Sequence, residues 1–204
     1  LDDTISPGAT TVTPFDDVDP DAIPDKRLEL LFTCAHPAIN AAARTPLMLQ
    51  VVLRLEAKTI ASAFLMSPAA MTKRLVRAKN KIREAGIPFS VPEREELPER
   101  LAAVLEAVYA AYAEGWTDPV GSDTERRDLA GEALFLAQLL VELLPEEPET
   151  LGLLSLMLYA QARRDSRRDA AGEYVPLSAQ DPATWNAPMI DAASALLRRA
   201  SALD

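Results

Sequence analysis

The chain has 204 residues, a formal net charge of −10 and 49% hydrophobic residues, so it can bury a sizeable core in one or two domains. A single cysteine, Cys34, and a single histidine exclude an intramolecular disulfide and make a zinc site of Cys and His ligands implausible. Alanine and leucine dominate and only 5% of the residues are aromatic, which favours an all-helical fold.

The first segment, residues 1–24, is acidic. It holds six aspartates, four prolines and no basic residue. Such a stretch buries too little apolar surface to order itself, so we expect a flexible acidic linker. The alternative is an acidic arm that lies on a basic part of the chain and screens it.

Four helices are predicted in the next segment, at residues 25–35, 41–55, 59–64 and 68–85. The last two are separated by a tight turn, in which Ser67 is the expected N-cap and Pro68 the first helical residue. A short helix, a tight turn and a longer helix together make a helix-turn-helix. Gly86 and the prolines that follow it end the last helix, so we expect a domain at residues 25–86 and a linker at residues 87–98.

The last predicted helix of this domain is basic and amphipathic. At about 100° per residue it carries an apolar stripe that must face a core, formed by Met71, Leu75, Ala78 and Ile82. Residues 58–85 hold seven lysines and arginines against one carboxylate, a local charge of +6 in an acidic protein. Because clustered cations release counterions from polyphosphates, this local charge indicates nucleic acid binding.

The face opposite the apolar stripe supplies the candidate DNA-binding residues. Lys73 and Arg77 are expected to contact base edges or phosphates from within the major groove. Ala69, Thr72 and Val76 share this face and could touch bases or a thymine methyl group. Flanking cations are assigned to phosphates, which position the helix; they are Lys58, Arg74, Lys79 and Arg83. The alternative interpretation is an ordinary solvated helix face.

Longer helices are predicted after residue 98, at residues 99–114, 123–144, 149–165 and 185–202. Apolar positions recur there at spacings of three and four, as in helices that pack side by side. We therefore expect an all-α protein in which the helix-turn-helix four-helix domain is followed by an antiparallel helical array, a helical extension domain at residues 99–204. Residues 172–177 are expected to form a short hairpin or an ordered loop.

Other features favour structural rather than chemical roles. Cys34 and His36 are two positions apart but lack further ligands and an orienting acid, so we interpret them as a structural thiol and a helix-terminal histidine. No glycine-rich phosphate loop occurs, and we expect neither an enzyme nor a bound cofactor or metal. The apolar runs at residues 134–144 and 151–162 are too short to cross a bilayer, so we expect no membrane partner. A lone cysteine fits a reducing, cytoplasmic location.

Parts of the chain resemble a known family. Residues 59–64 and 71–83 are similar to region 4 of bacterial extracytoplasmic-function RNA polymerase sigma factors, and the latter contain the run Arg74-Leu75-Val76-Arg77-Ala78-Lys79. Residues 25–37 and 85–92 resemble the sigma-factor subgroup that carries a tetratricopeptide-related helical extension after region 4. The resemblance covers residues 25–112 well and continues more loosely to the end of the chain.

The resemblance implies a role in transcription initiation. In that family, a helix with this arginine-rich pattern recognises the minus-35 promoter element, so promoter DNA and the RNA polymerase core are the implied partners. The C-terminal helices would be available to an intramolecular or protein regulator. Nothing in the chain resembles sigma region 2, so we expect a fragment that cannot initiate transcription by itself.

Two other functions remain open from the sequence. The first is a free-standing helix-turn-helix transcriptional regulator with an effector-binding helical domain, which would dimerise on a palindromic site. The second is a helical protein-interaction module whose basic helix meets an acidic partner.

Overall fold

The structure is a computed structural model, and it describes residues 23–87, 90–116 and 124–203. Within these ranges the chain forms eight α-helices and no strand, which confirms the all-α fold class. The helices are α1 (Lys26–Cys34), α2 (Ala41–Val51), α3 (Ala57–Ala63), α4 (Pro68–Glu84), α5 (Leu97–Trp116), α6 (Thr124–Leu143), α7 (Pro148–Ala162) and α8 (Ala187–Leu203). Short 3-10 helices occupy Arg94–Glu96, Asp165–Arg167, Leu177–Ala179 and Pro182–Thr184.

Some predictions fall outside the described residues. The expected acidic linker at residues 1–24 lies outside them as far as residue 22, and residues 88 and 89 of the second expected linker do so too. Among the helices that the structure describes, none combines the length and apolarity that crossing a membrane requires.

The start of α1 is fixed by Asp25. Its carboxylate accepts a hydrogen bond from the backbone N of Arg27 at 2.7 Å and pairs with the Arg27 guanidinium at 3.0 Å. The hydrogen bond from that guanidinium lowers the pKa of Asp25. Arg27 also pairs with Glu132 of α6 at 3.0 Å, so the cap of α1 ties the N-terminal helices to the C-terminal ones.

Helix α2 ends earlier than predicted, at Val51 instead of residue 55. Arg54 adopts a left-handed φ of 57°, and across it the backbone N of Leu55 donates to the Leu49 carbonyl at 2.9 Å. Such bonds satisfy carbonyls that the end of a helix leaves without partners. No glycine marks this position in the sequence, which is why the apolar pattern alone extended the helix too far.

Helices α7 and α8 lie antiparallel. The backbone N of Asn186, just before α8, donates to the Ala162 carbonyl at the end of α7 at 2.8 Å. At the opposite end, Arg199 of α8 donates to the Pro145 carbonyl just before α7 at 3.1 Å. The two helices therefore run side by side along their whole length in opposite directions.

Helix α5 joins this pair to α6. Arg94, just before α5, donates to the Leu143 carbonyl at the end of α6 at 3.4 Å, so these two helices are also antiparallel. The Tyr112 hydroxyl of α5 donates to the Met157 carbonyl of α7 at 3.0 Å. Helices α5 to α8 thus form the antiparallel array that the sequence predicts.

One apolar core connects all eight described helices. Arg100 of α5 is 3% exposed and donates to the Phe32 carbonyl near the end of α1 at 3.3 Å. Thr45 of α2, also buried, donates to the Glu106 carboxylate of α5 at 2.7 Å. The expected division into two domains stays a prediction. These two bonds connect helices α1 and α2 with helix α5, across the predicted boundary.

An ordered loop connects α7 to α8. Arg168 and Tyr174 form an isolated antiparallel bridge, and Gly172 takes the positive φ of 85° that the turn between them requires. The Asp169 carboxylate accepts from the backbone N of Glu173 at 2.9 Å. The excursion predicted near residue 172 is therefore a hydrogen-bonded loop.

Candidate nucleic-acid interface

Helix α4 begins after a tight turn, where the sequence predicts one. Leu65 adopts a φ of 52°, and the backbone N of Met66 donates to the Ala61 carbonyl at 2.8 Å, which closes the end of α3. The Ser67 side chain then caps α4 by accepting from the backbone N of Ala70 at 3.3 Å. This turn lets α3 and α4 pack against each other.

The inner side of α4 is the predicted apolar stripe. Met71, Leu75 and Ala78 are buried, and Ile82 is half-buried against the same core. Helices α2 and α3 cover this side. The rotation of α4 about its axis is therefore fixed by the core, and its opposite face must point outward.

The outer face carries most of the candidate DNA-binding residues. Exposed positions on it are Ala69, Thr72, Lys73, Val76, Arg77 and Arg83. Val76 is 50% exposed, which leaves an apolar side chain between cations. Within the described part of the chain, no hydrogen bond or ion pair involves the side chains of Lys73, Arg77 and Arg83. Their charges are available to an external anion.

Two flanking cations on α4 bond to α2. The half-buried Arg74 side chain donates to the Ala42 carbonyl at 3.2 Å. Lys79 Nζ donates to Gln50 Oε1 at 2.7 Å. These bonds orient Arg74 and Lys79 along the two edges of the outer face, and they leave further donors on both groups.

Lys58 is the candidate that lies off α4, in the first turn of α3. Its ammonium group pairs with the Glu56 carboxylate at 2.7 Å, and the hydrogen bond that it donates to this carboxylate raises the pKa of Lys58. Both side chains are largely exposed, so this ion pair contributes little stability and can be replaced by another partner. A phosphate contact from Lys58 would use its remaining N–H donors or replace this pairing.

A groove runs along one edge of the outer face. It has a volume of about 770 Å³ and lies between α4 and the chain segment that leads into α2. Its cations are Lys73, Arg74, Arg77 and Lys81, and its apolar lining includes Ile39, Ala43, Met66 and Ala78. Lys81 is absent from the sequence-based candidates. The helical wheel places it beside Arg74 and Arg77, but only the packing of α2 against α4 reveals the groove.

Neither Cys34 nor His36 is among the residues that line this groove. Cys34 is 1% exposed, and burial raises the pKa of its thiol to about 11. His36 Nδ1, two residues beyond the end of α1, accepts from the backbone N of Ala38 at 3.1 Å. No cluster of three or more potential metal ligands occurs among the described residues.

Comparison with known proteins gives one curated relative. The chain is 42% identical over 176 residues to an uncharacterized protein of Rhizobium meliloti (strain 1021). The aligned part covers 86% of this chain and 42% of the relative, so the chain spans less than half the length of that protein. No solved structure matches the chain.

A family match covers the helical array. Residues 100–201, which comprise nearly all of α5 and most of the chain to the end of α8, match the model of a family described as "Family of unknown function (DUF6596)". The cation-rich helix α4 precedes the matched region. Because the match extends over half of the chain, the protein belongs to the DUF6596 family.

Proposed function

We propose that this chain binds promoter DNA through α4 and recognises the minus-35 element as part of an alternative sigma factor that directs RNA polymerase. In this proposal the protein works in the cytoplasm as a DNA-binding factor and not as an enzyme. Lys73 and Arg77 contact base edges or phosphates in the major groove, and the flanking cations contact the phosphates on either side.

The observation that supports the proposal best is the orientation of α4. Its apolar stripe is held in the core while Lys73 and Arg77, on the opposite side, are exposed without an ion pair in the described structure. The net charge of +6 on residues 58–85 stands against −10 for the whole chain. A cationic helix on an acidic protein favours orientations in which this helix faces a polyanion.

Salt dependence of duplex binding tests this proposal. Fluorescence anisotropy of a labelled duplex is measured for the wild type, Lys73→Ala and Arg77→Ala at increasing salt. We expect affinity to fall linearly on a log–log plot, and each substitution to reduce the slope by about one where a phosphate contact is lost. Arg198→Ala, which removes an exposed cation from α8, is the control and should leave the slope unchanged.

The mass of the complex in solution, together with the anisotropy data, discriminates the two alternatives. If the mass of the complex in solution shows two copies of the chain on a palindromic duplex, the protein is a free-standing regulator instead. Equal effects of Lys73→Ala and Arg198→Ala would indicate general attraction between cations and DNA, and would contradict a dedicated face on α4.

A further inference from the structure

The groove beside α4 has the dimensions of a small-molecule site. Its volume of about 770 Å³ falls within the roughly 300–1,000 Å³ that such sites occupy. It is formed by two separate parts of the chain, α4 and the start of α2 with the residues that precede it. A flat helix face that only touched a DNA backbone would need no cavity of this size.

The positive charge of the groove is not neutralised by carboxylates of the described residues. Among the described residues, no carboxylate lies within ion-pair distance of its four cations. The side chains of Lys73, Arg77 and Lys81 make no hydrogen bond there, and Arg74 donates a single one, to the Ala42 carbonyl. Like charges that share a groove repel one another, so a ligand with several negative charges would relieve this repulsion.

Apart from Asn40, the rest of the lining is apolar. Ala38 is exposed and Met66 and Ala70 are half-buried, so these three offer apolar surface, whereas Ile39, Ala43 and Ala78 are buried and expose little. Such a surface gains free energy when it covers an apolar or aromatic group. Inorganic phosphate alone would satisfy the cations and leave this surface uncovered.

We propose that the groove binds a free nucleotide, with its phosphates on Arg74 and Lys81 and its base against the apolar lining. DNA also combines phosphates with aromatic bases, so it is a possible alternative ligand for the groove. In a duplex, however, the bases are stacked inside and cannot reach the lining, so the free nucleotide fits better. The proposal goes beyond DNA binding and does not depend on it. Because Lys73 and Arg77 belong to both surfaces, a bound nucleotide would compete with DNA.

Calorimetric titration of the full chain with ATP, in the absence of DNA and divalent metal, tests the nucleotide site. We expect saturable binding of ATP, weaker binding of pyrophosphate because it lacks the ring, and no detectable binding of adenosine because it lacks charge. The double variant Arg74→Gln/Lys81→Gln should weaken ATP binding by about tenfold or more. The matched control Lys79→Gln/Arg83→Gln removes two charges from the other edge of α4 and should have little effect.

Three results would overturn the nucleotide site. They are absence of ATP binding at millimolar concentration, equal weakening by both double variants, and equal affinity for ATP and pyrophosphate. The titration contains no DNA, so its failure leaves the proposed promoter role intact. Conversely, loss of the promoter role would leave a measured ATP affinity unchanged.

Discussion

Cys34 combines a reactive side chain with an environment that suppresses its reactivity. The thiol is buried at the end of α1, and burial raises its pKa to about 11 from an ordinary value of 9.0. The folded state therefore favours the protonated thiol over the thiolate. A thiol in this state is a poor nucleophile, which agrees with its sequence-based assignment to structure.

The raised pKa of Cys34 predicts a loss of stability in alkali. The stability that the buried, protonated thiol contributes is fully present below the unfolded-state pKa and is lost as the pH rises through the folded-state pKa. The reason is that only the unfolded chain ionises easily. We expect the free energy of unfolding to fall between about pH 8 and pH 10.5, and to fall by about 1.5–2 kcal/mol less in Cys34→Ala. Urea denaturation at each pH measures this difference. Parallel pH profiles for the two proteins would contradict it.

Helix α4 illustrates which elements the sequence specifies locally. Ser67 and Pro68 mark its start, and Gly86 takes the left-handed φ of 57° that ends it. Because both ends and the apolar period agree, the predicted and observed bounds of α4 differ by one residue. The stop of α2 has no such marker, since arginine has no preference for the left-handed conformation that Arg54 adopts.

The cap of α4 can be tested by substitution. Ser67→Ala removes the acceptor for the Ala70 amide and should lower the free energy of unfolding by about 0.5–1 kcal/mol, whereas Ser67→Asp should retain most of it. Urea denaturation measures both. Ser201→Ala, at an exposed position inside α8, is the matched control and should not destabilise the protein. An equal effect of Ser67→Ala and Ser201→Ala would show that the cap contributes nothing.

The sequence alone predicts those features of the site that depend only on helix α4. Periodicity assigns Lys73 and Arg77 to the outer face and Leu75 to the core, and the observed burial agrees. The bonds of Arg74 and Lys79 to α2 could not be foreseen, because they depend on how two helices cross. Lys81 was missed for the same reason.

The family match and the concentration of positive charge fall in different parts of a chain whose described helices share one core. The family match covers the array from α5 to α8, and the concentrated positive charge lies on α4, before it. Buried bonds from Arg100 and Thr45 hold the two parts together.

Sequence preference in DNA binding tests the central proposal most directly. A duplex selected from a random library by the wild-type chain is compared with a scrambled duplex of equal length and composition, for the wild type and for Lys73→Ala/Arg77→Ala. We predict that the wild type prefers the selected duplex. The double variant should lose about 1–3 kcal/mol of binding free energy on that duplex for each specific base contact removed. It should also lose most of the preference for the selected duplex over the scrambled one. Unchanged affinity and preference in the double variant would contradict promoter recognition by α4.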